Sequence, residues 1–283
     1  MSLDRARTLA LEHVRDGQLV EAECVSTAIL AKFPNDAVGN YVHGMVAVHC
    51  GHYGYASTLF RNSLRADQNF SEAKRGLEYV VAEMKKSQPQ KTYVIGNSHT
   101  GIFRSISEVS VFWLGPVTMR RLGREGTDFL DYRDFGIKEE SNVVAVFGEI
   151  DVRAHFMNLS DGSKNSIAET ADDIVSKYLI ALSKASKIAG LRCQIVASLI
   201  PPFREGIEVR EESVGTVEQR VDATIAVNDR LRFGGKLLDF KYMDLYTPFA
   251  DSSGTLAGEF TDDGFHIKDS YASFIAQELW NII

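Results

Sequence analysis

The chain has 283 residues, 45% of them hydrophobic and 24% charged, with a formal net charge of −7. That composition is globular, enough for one large domain or two ordinary ones. It argues against nucleic acid as a partner, because neither the overall charge nor any local Lys/Arg cluster provides a basic footprint. No apolar run approaches the roughly 20 residues that span a bilayer, so no membrane span is expected. Cys24, Cys50 and Cys193 are odd in number and scattered, which fits a reducing compartment rather than a disulfide framework or a zinc knuckle. The N-terminal stretch MSLDRARTLALEHVRDG lacks the apolar core of a secretory signal, and a cytoplasmic setting is expected.

Residues 1–90 carry ten basic and ten acidic side chains, so the net charge falls wholly on the remainder, which hints at two domains. The first part repeats. Gly17 and Gly51, Ala22 and Ala56, and Leu30 and Leu64 are each 34 residues apart. Both segments show helical spacing of apolar residues split by a glycine turn, where glycine ends one helix and a small alanine lets the next pack closely. A 34-residue period of this kind resembles the tetratricopeptide repeat family. Ala10 and Gly44 fall on its first small position, Ala22 and Ala56 on its second, Phe60 on its aromatic position and Pro34 on its terminal proline. The early Trp and Tyr are missing, and Gln68 stands where the second proline would be. SEAKRGLEYVVAEMKK reads as a capping helix. The resemblance implies a surface for a protein partner or for self-association. His43, His49 and His52 lie close in sequence but lack carboxylates or thiolates at ligand spacing, and no metal site is expected from them.

SQPQ at Ser87–Gln90 reads as a linker, giving expected domains at 1–88 and 89–283. Beyond it, strand-like runs at Thr92–Ile95, Val109–Leu114, Val143–Phe147 and Cys193–Leu199 alternate with helical patterns. A last strand is expected at Leu237–Phe240 or Tyr242–Leu245. Helices are expected over IAETADDIVSKYLIALSKASKIAG and TVEQRVDATIAVNDRLRFGGK, with a closing one over SYASFIAQELW. Continuous apolar strands with long crossovers imply a flavodoxin-like parallel sheet in a three-layer α/β domain, with ligand sites at the C-terminal strand ends.

The first of those ends reads KTYVIGNSHTGIF. As a dinucleotide loop it fails, because Ser98 takes the place of the middle glycine. As a phosphate loop it fails too, since Ile102 and Phe103 follow Gly101 where Lys and Ser/Thr are needed. A serine nucleophile remains, and it needs a base and a group to orient that base. TDDGFHIKDSY, near the other end of the chain, offers Asp263 and His266 three residues apart.

Together these motifs resemble the SGNH (GDSL-type) hydrolase superfamily, over roughly Lys91 to the C-terminus. Gly96-Asn97-Ser98 matches the first block with Asn97 in place of aspartate, and Asp263-Gly264-Phe265-His266 matches the last. SLIPP, Asn228 and YMDLY are weaker agreements. The resemblance implies an esterase with Ser98 as nucleophile, His266 as general base and then acid, and Asp263 as orienting carboxylate. It also implies no metal and no cofactor. The Ser98 N–H and the Gly115 N–H would form the oxyanion hole, with Gly123 as a fallback. The third block departs from the family: Gly148-Glu149-Ile150-Asp151 puts isoleucine where an asparagine donor belongs. Arg153 and His155 carry donors that could replace it. Glu149, Asp151 and Arg153 could instead bind a polar substrate or form a salt-bridged supporting loop. His99 is expected to be structural or to contact substrate. A small polar or carbohydrate ester, such as an O-acetyl glycan, is the expected substrate. An acyltransferase and a non-catalytic scaffold with partner-binding repeats are the alternatives.

Overall fold

The structure, a computed structural model, describes residues 1–86, 91–163, 166–204 and 213–283, with only the backbone of 161–163. It divides into two compact units. One comprises Met1–Gln88 with the short segments Trp113–Gly115 and Asp134–Gly136; the other holds the remainder. The expected linker Ser87–Gln90 lies outside the described residues.

The first unit is built on five helices, α1 (Leu3–Arg15), α2 (Leu19–Lys32), α3 (Ala37–His49), α4 (Tyr53–Ala66) and α5 (Ser71–Lys86), packed pairwise. Side-chain oxygens start two of them: Ser2 accepts from the Arg5 N–H, and Asp36 from the Gly39 N–H at 2.7 Å. Asp36 also accepts from Arg7 Nε at 2.8 Å, tying α1 to the start of α3. The two glycines of the 34-residue period both adopt φ +73°, a conformation that closes α1 and α3 and that other residues resist. The small residues are needed for close approach. A Cβ on Gly44 would lie 2.7 Å from the Phe60 ring, and one on Gly76 would lie 2.8 Å from it. Ala10, Ala22 and Ala56 are completely buried. The three histidines diverge: His43 meets Ser26, His49 bonds the Met45 carbonyl, and His52 packs edge-on against Trp113.

The second unit is a five-stranded parallel sheet in the order β2-β1-β3-β4-β5. The strands are β1 (Thr92–Gly96), β2 (Val109–Trp113), β3 (Asn142–Val146), β4 (Cys193–Ala197) and β5 (Lys241–Met243). β1 and β3 are buried along their whole length, as expected of strands covered on both faces. Alternate side chains Val94, Val144, Val146, Ile195 and Ala197 form one core with Ile275 and Leu279 of α10 (Ala272–Ile282). On the other face lie α8 (Ile167–Ala189) and α9 (Val217–Leu237), where Gly235 approaches Val196 and Ser186 bonds the Gln194 side chain. Two short helices, α6 (Met119–Glu125) and α7 (Met157–Ser163), complete the layers. Among the described residues, no helix is long and apolar enough to cross a membrane.

One strand expectation fails. Leu237–Phe240 is the end of α9 and a turn with Asp239 at φ +60°, and Leu237 is 72% exposed. The alternative, Tyr242–Leu245, overlaps the observed β5, which begins one residue earlier and ends at Met243.

Candidate active site

β1 runs into the serine turn through Gly96, where a Cβ would meet the Val146 carbonyl oxygen at 2.0 Å. Glycine is therefore needed for β1 and the end of β3 to lie this close. The buried Asn97 builds the turn: its amide oxygen accepts from the His99 N–H at 3.1 Å, and its carbonyl accepts from the Thr100 hydroxyl at 2.8 Å. The result is a 3₁₀ turn over Ser98–Phe103 that leaves Ser98 exposed while His99, Thr100, Ile102 and Phe103 turn inward.

From the far end of the chain, the loop before α10 reaches this turn. Asp263 Oδ1 accepts from the Phe265 and His266 N–H groups at 2.8 and 2.7 Å, and Oδ2 lies 2.7 Å from His266 Nδ1. One carboxylate thus fixes both the loop backbone and the ring. His266 Nε2 then stands 3.1 Å from Ser98 Oγ. Burial alone would raise the Asp263 carboxyl, but these hydrogen bonds and the His266 charge outweigh it and hold it well below the usual carboxylate range. Burial pulls the His266 imidazole below its ordinary value, with His99 acting in the same direction and Asp263 and Glu149 opposing. A carboxylate-oriented imidazole aimed at an exposed hydroxyl is the geometry for proton abstraction from serine.

The loop after β3 is the opposite case. Gly148 has φ +114° and Ile150 is half-buried, carrying no donor. Asp151 is 2% exposed and accepts from the Met119 and Arg120 N–H groups at 2.7 and 3.0 Å, closing the start of α6. Its burial pushes its carboxyl up to about 6, against those two N–H groups. Both Asp151 oxygens are thus taken up by a helix start. Arg153, 5% exposed, donates to Glu149 at 2.6 Å, and Glu149 lies 3.7 Å from His99 Nε2. Burial would raise the Glu149 carboxyl, but His99 and Arg153 hold it below its ordinary value. Of the three polar residues of this loop, Glu149 and Arg153 form an ion pair and Asp151 holds the start of α6. His155 is exposed on the π-helical turn Asp151–Phe156. Gly115 lies in the first unit, at φ +79° against the Tyr55 ring. Gly123 is inside α6, facing Lys177 and Tyr178 of α8.

Other residues beside this site gave weaker signals. Leu199, Ile200, Pro201, Pro202 and Phe203 follow β4, and Arg220 lies on α9; with His99 and Phe265 they line a pocket. Asn228 holds this segment by accepting from the Leu199 N–H at 2.7 Å. The SLIPPF stretch was visible in the sequence, but Arg220 had no signal beyond helical periodicity.

The second unit has an SGNH/GDSL-like hydrolase fold, covering about 70% of the chain. A Streptococcus pneumonia protein provisionally described as a platelet activating factor is similar at 10% identity and a TM-score of 0.52, over 72% of this chain and 91% of that one. A GDSL-like lipase from Bacteroides thetaiotaomicron is similar at 16% identity and a TM-score of 0.49, over 71% of this chain and 94% of that one. At these identities the likeness is one of fold. No protein-family profile matches the sequence, and no curated protein does.

Proposed function

We propose that the α/β unit is a serine esterase, and that residues 1–88 form a tetratricopeptide-like module for a protein partner or self-association. The observation that carries the reading is the continuous line Asp263–His266–Ser98, at 2.7 and 3.1 Å. His266 Nε2 takes the Ser98 proton as Oγ bonds to the ester carbonyl carbon. The tetrahedral intermediate collapses, the C–O bond to the alcohol breaks, and His266 returns the proton to the departing oxygen. Water then attacks the acyl-enzyme with His266 again as base, releasing the acid and restoring Ser98. Asp263 keeps the imidazole in the Nδ1–H tautomer and stabilises its charged form. The Ser98 N–H is the first oxyanion donor.

An acyltransferase would share the same acyl-enzyme, with an alcohol in place of water. The carbohydrate preference rests on the resemblance alone, because the polar groups of the β3 loop are engaged in internal pairs. Ile150 favours one second reading, a non-catalytic scaffold, since a lost oxyanion donor costs about 10²–10³ in rate. The test is turnover of 4-nitrophenyl acetate and of acetylated sugars by the purified chain and by Ser98→Ala. Hydrolysis that Ser98→Ala abolishes supports the esterase; no turnover by a folded wild-type chain favours the scaffold.

A further inference from the structure

The outer face of α8 and α9, turned away from the sheet, carries chemistry that the proposed reaction leaves unused. The two helices run parallel, because a step along one moves its contact along the other in the same direction. Asp172 lies 3.5 Å from Arg230, and further on Leu179 lies against Gly234, where a Cβ would approach it to 2.6 Å. At that second level the outer face is apolar: Ile180, Phe233 and Leu237 are 52%, 62% and 72% exposed. Ile180 follows Leu179, Phe233 precedes Gly234, and Leu237 shares a helix face with Phe233 four residues before it. Large apolar side chains exposed singly are ordinary, whereas a cluster on neighbouring helices marks a contact surface. Charge is graded through the cluster. Asp229 stands four residues before Phe233 and Lys184 four residues after Ile180, each about 6 Å from it along the helices, on opposite sides. Asp222 lies further out on one side and Lys187 on the other; all four are exposed and make no ion pair among the described residues. The helix dipoles favour acids at helix starts and bases at helix ends, which accounts for the gradient in a lone chain but not for the apolar centre.

We propose that this face is the two-fold interface of a homodimer, with a second copy of the chain as its occupant. A two-fold axis through the apolar cluster sets the helices of one copy antiparallel to those of the other. Ile180, Phe233 and Leu237 then close on their own counterparts, and Asp229 of each copy meets Lys184 of the other. A parallel pairing would instead set acid on acid and base on base. The face is large enough. With 23 and 21 residues the helices are each about 30 Å long, and side by side they offer roughly 30 by 20 Å, the scale of the about 800 Å² per partner that stable interfaces bury. The apolar centre supplies the affinity, and the charges fix the orientation.

The test is the molar mass of the full chain by sedimentation equilibrium across a concentration series. The expected result is a dimer of twice the chain's 31.4 kDa. Phe233→Glu and Ile180→Glu should each raise its dissociation constant about tenfold or more, and both positions are exposed enough for the fold to tolerate the change. Lys184→Asp and Asp229→Lys should each weaken the dimer, and the two together should restore it, because the reversed pair meets twice across the axis. A wild type that stays at 31.4 kDa throughout overturns the proposal. So does a dimer whose dissociation constant is the same in Phe233→Glu and Ile180→Glu, which would put self-association on another surface. A double reversal as weak as its two single changes add up to overturns it as well.

Discussion

Two strand-end loops of the same sheet, after β1 and after β3, begin alike with a glycine and a polar residue and end in opposite conditions. The β1 loop buries Asn97 and His99 to push Ser98 outward. The β3 loop turns its charges inward, Asp151 onto α6 and Glu149 onto Arg153 and His99. A polar residue at the C-terminal end of a strand is thus not by itself a chemical group. What matters is whether its neighbours have already satisfied it. In the first loop Asn97 accepts from the His99 N–H and the Thr100 hydroxyl, and Ser98 is left to meet a base from 168 residues away. In the second, each carboxylate is already engaged by buried partners.

The comparison breaks most directly at the serine. Ser98→Ala should lower kcat/KM for a 4-nitrophenyl ester by about 10⁴-fold or more, and adding His266→Ala should cost little further, because the two act as a unit. Steady-state kinetics on the single and double variants checks both statements. Asp263→Asn should cost about 10³–10⁴-fold, since an amide can hold the wrong tautomer. In the wild type, protonated His266 cannot accept the serine proton. Because its folded pKa lies below the ordinary value of 6.5, kcat/KM should be full at neutral pH and fall only in acid, with a midpoint below that value. A midpoint at or above it would contradict the burial argument.

The second loop sharpens the comparison from the other side. Ile150→Asn should raise kcat by up to about 10²-fold if the missing donor limits the rate, and should leave it unchanged if another group already serves. Stopped assays on that variant separate the two cases. Asp151→Ala should act on stability, costing about 1–2 kcal/mol through the lost start of α6, as read by urea unfolding at pH 4. The sign for Asp151 with pH is set by its raised value. The folded state holds the proton more tightly than the unfolded chain, so the contribution is full below the ordinary 3.8 and is lost as pH rises through about 6. Wild type should therefore lose stability relative to Asp151→Asn between pH 4 and pH 7.

The sequence carried the sheet wherever strands are buried on both faces, because β1, β3 and β4 carry apolar cores, Tyr93–Ile95, Val143–Val146 and Ile195–Ala197. It was ambiguous at β5, three residues long and opening on an exposed Lys241, where an apolar run nearby belongs instead to the end of a helix. The convergence of Ser98, Asp263 and His266 was legible from order and spacing, as each sits on a tight turn whose geometry is local. The fate of Asp151 was not, since its partners Met119 and Arg120 come from a helix start about thirty residues earlier that no pattern links to it. In the first unit the helix-ending turns were legible, because Gly17 and Gly51 both adopt a positive φ that other residues resist.

The central claim is that Ser98 is activated. The most direct measurement treats the folded chain with a fluorophosphonate and locates the adduct by mass spectrometry, with Ser98→Ala and His266→Ala alongside. The account predicts a single stoichiometric adduct on Ser98, absent from both variants. An unlabelled wild-type chain, or labelling at Ser98 that survives His266→Ala at the same rate, would contradict it.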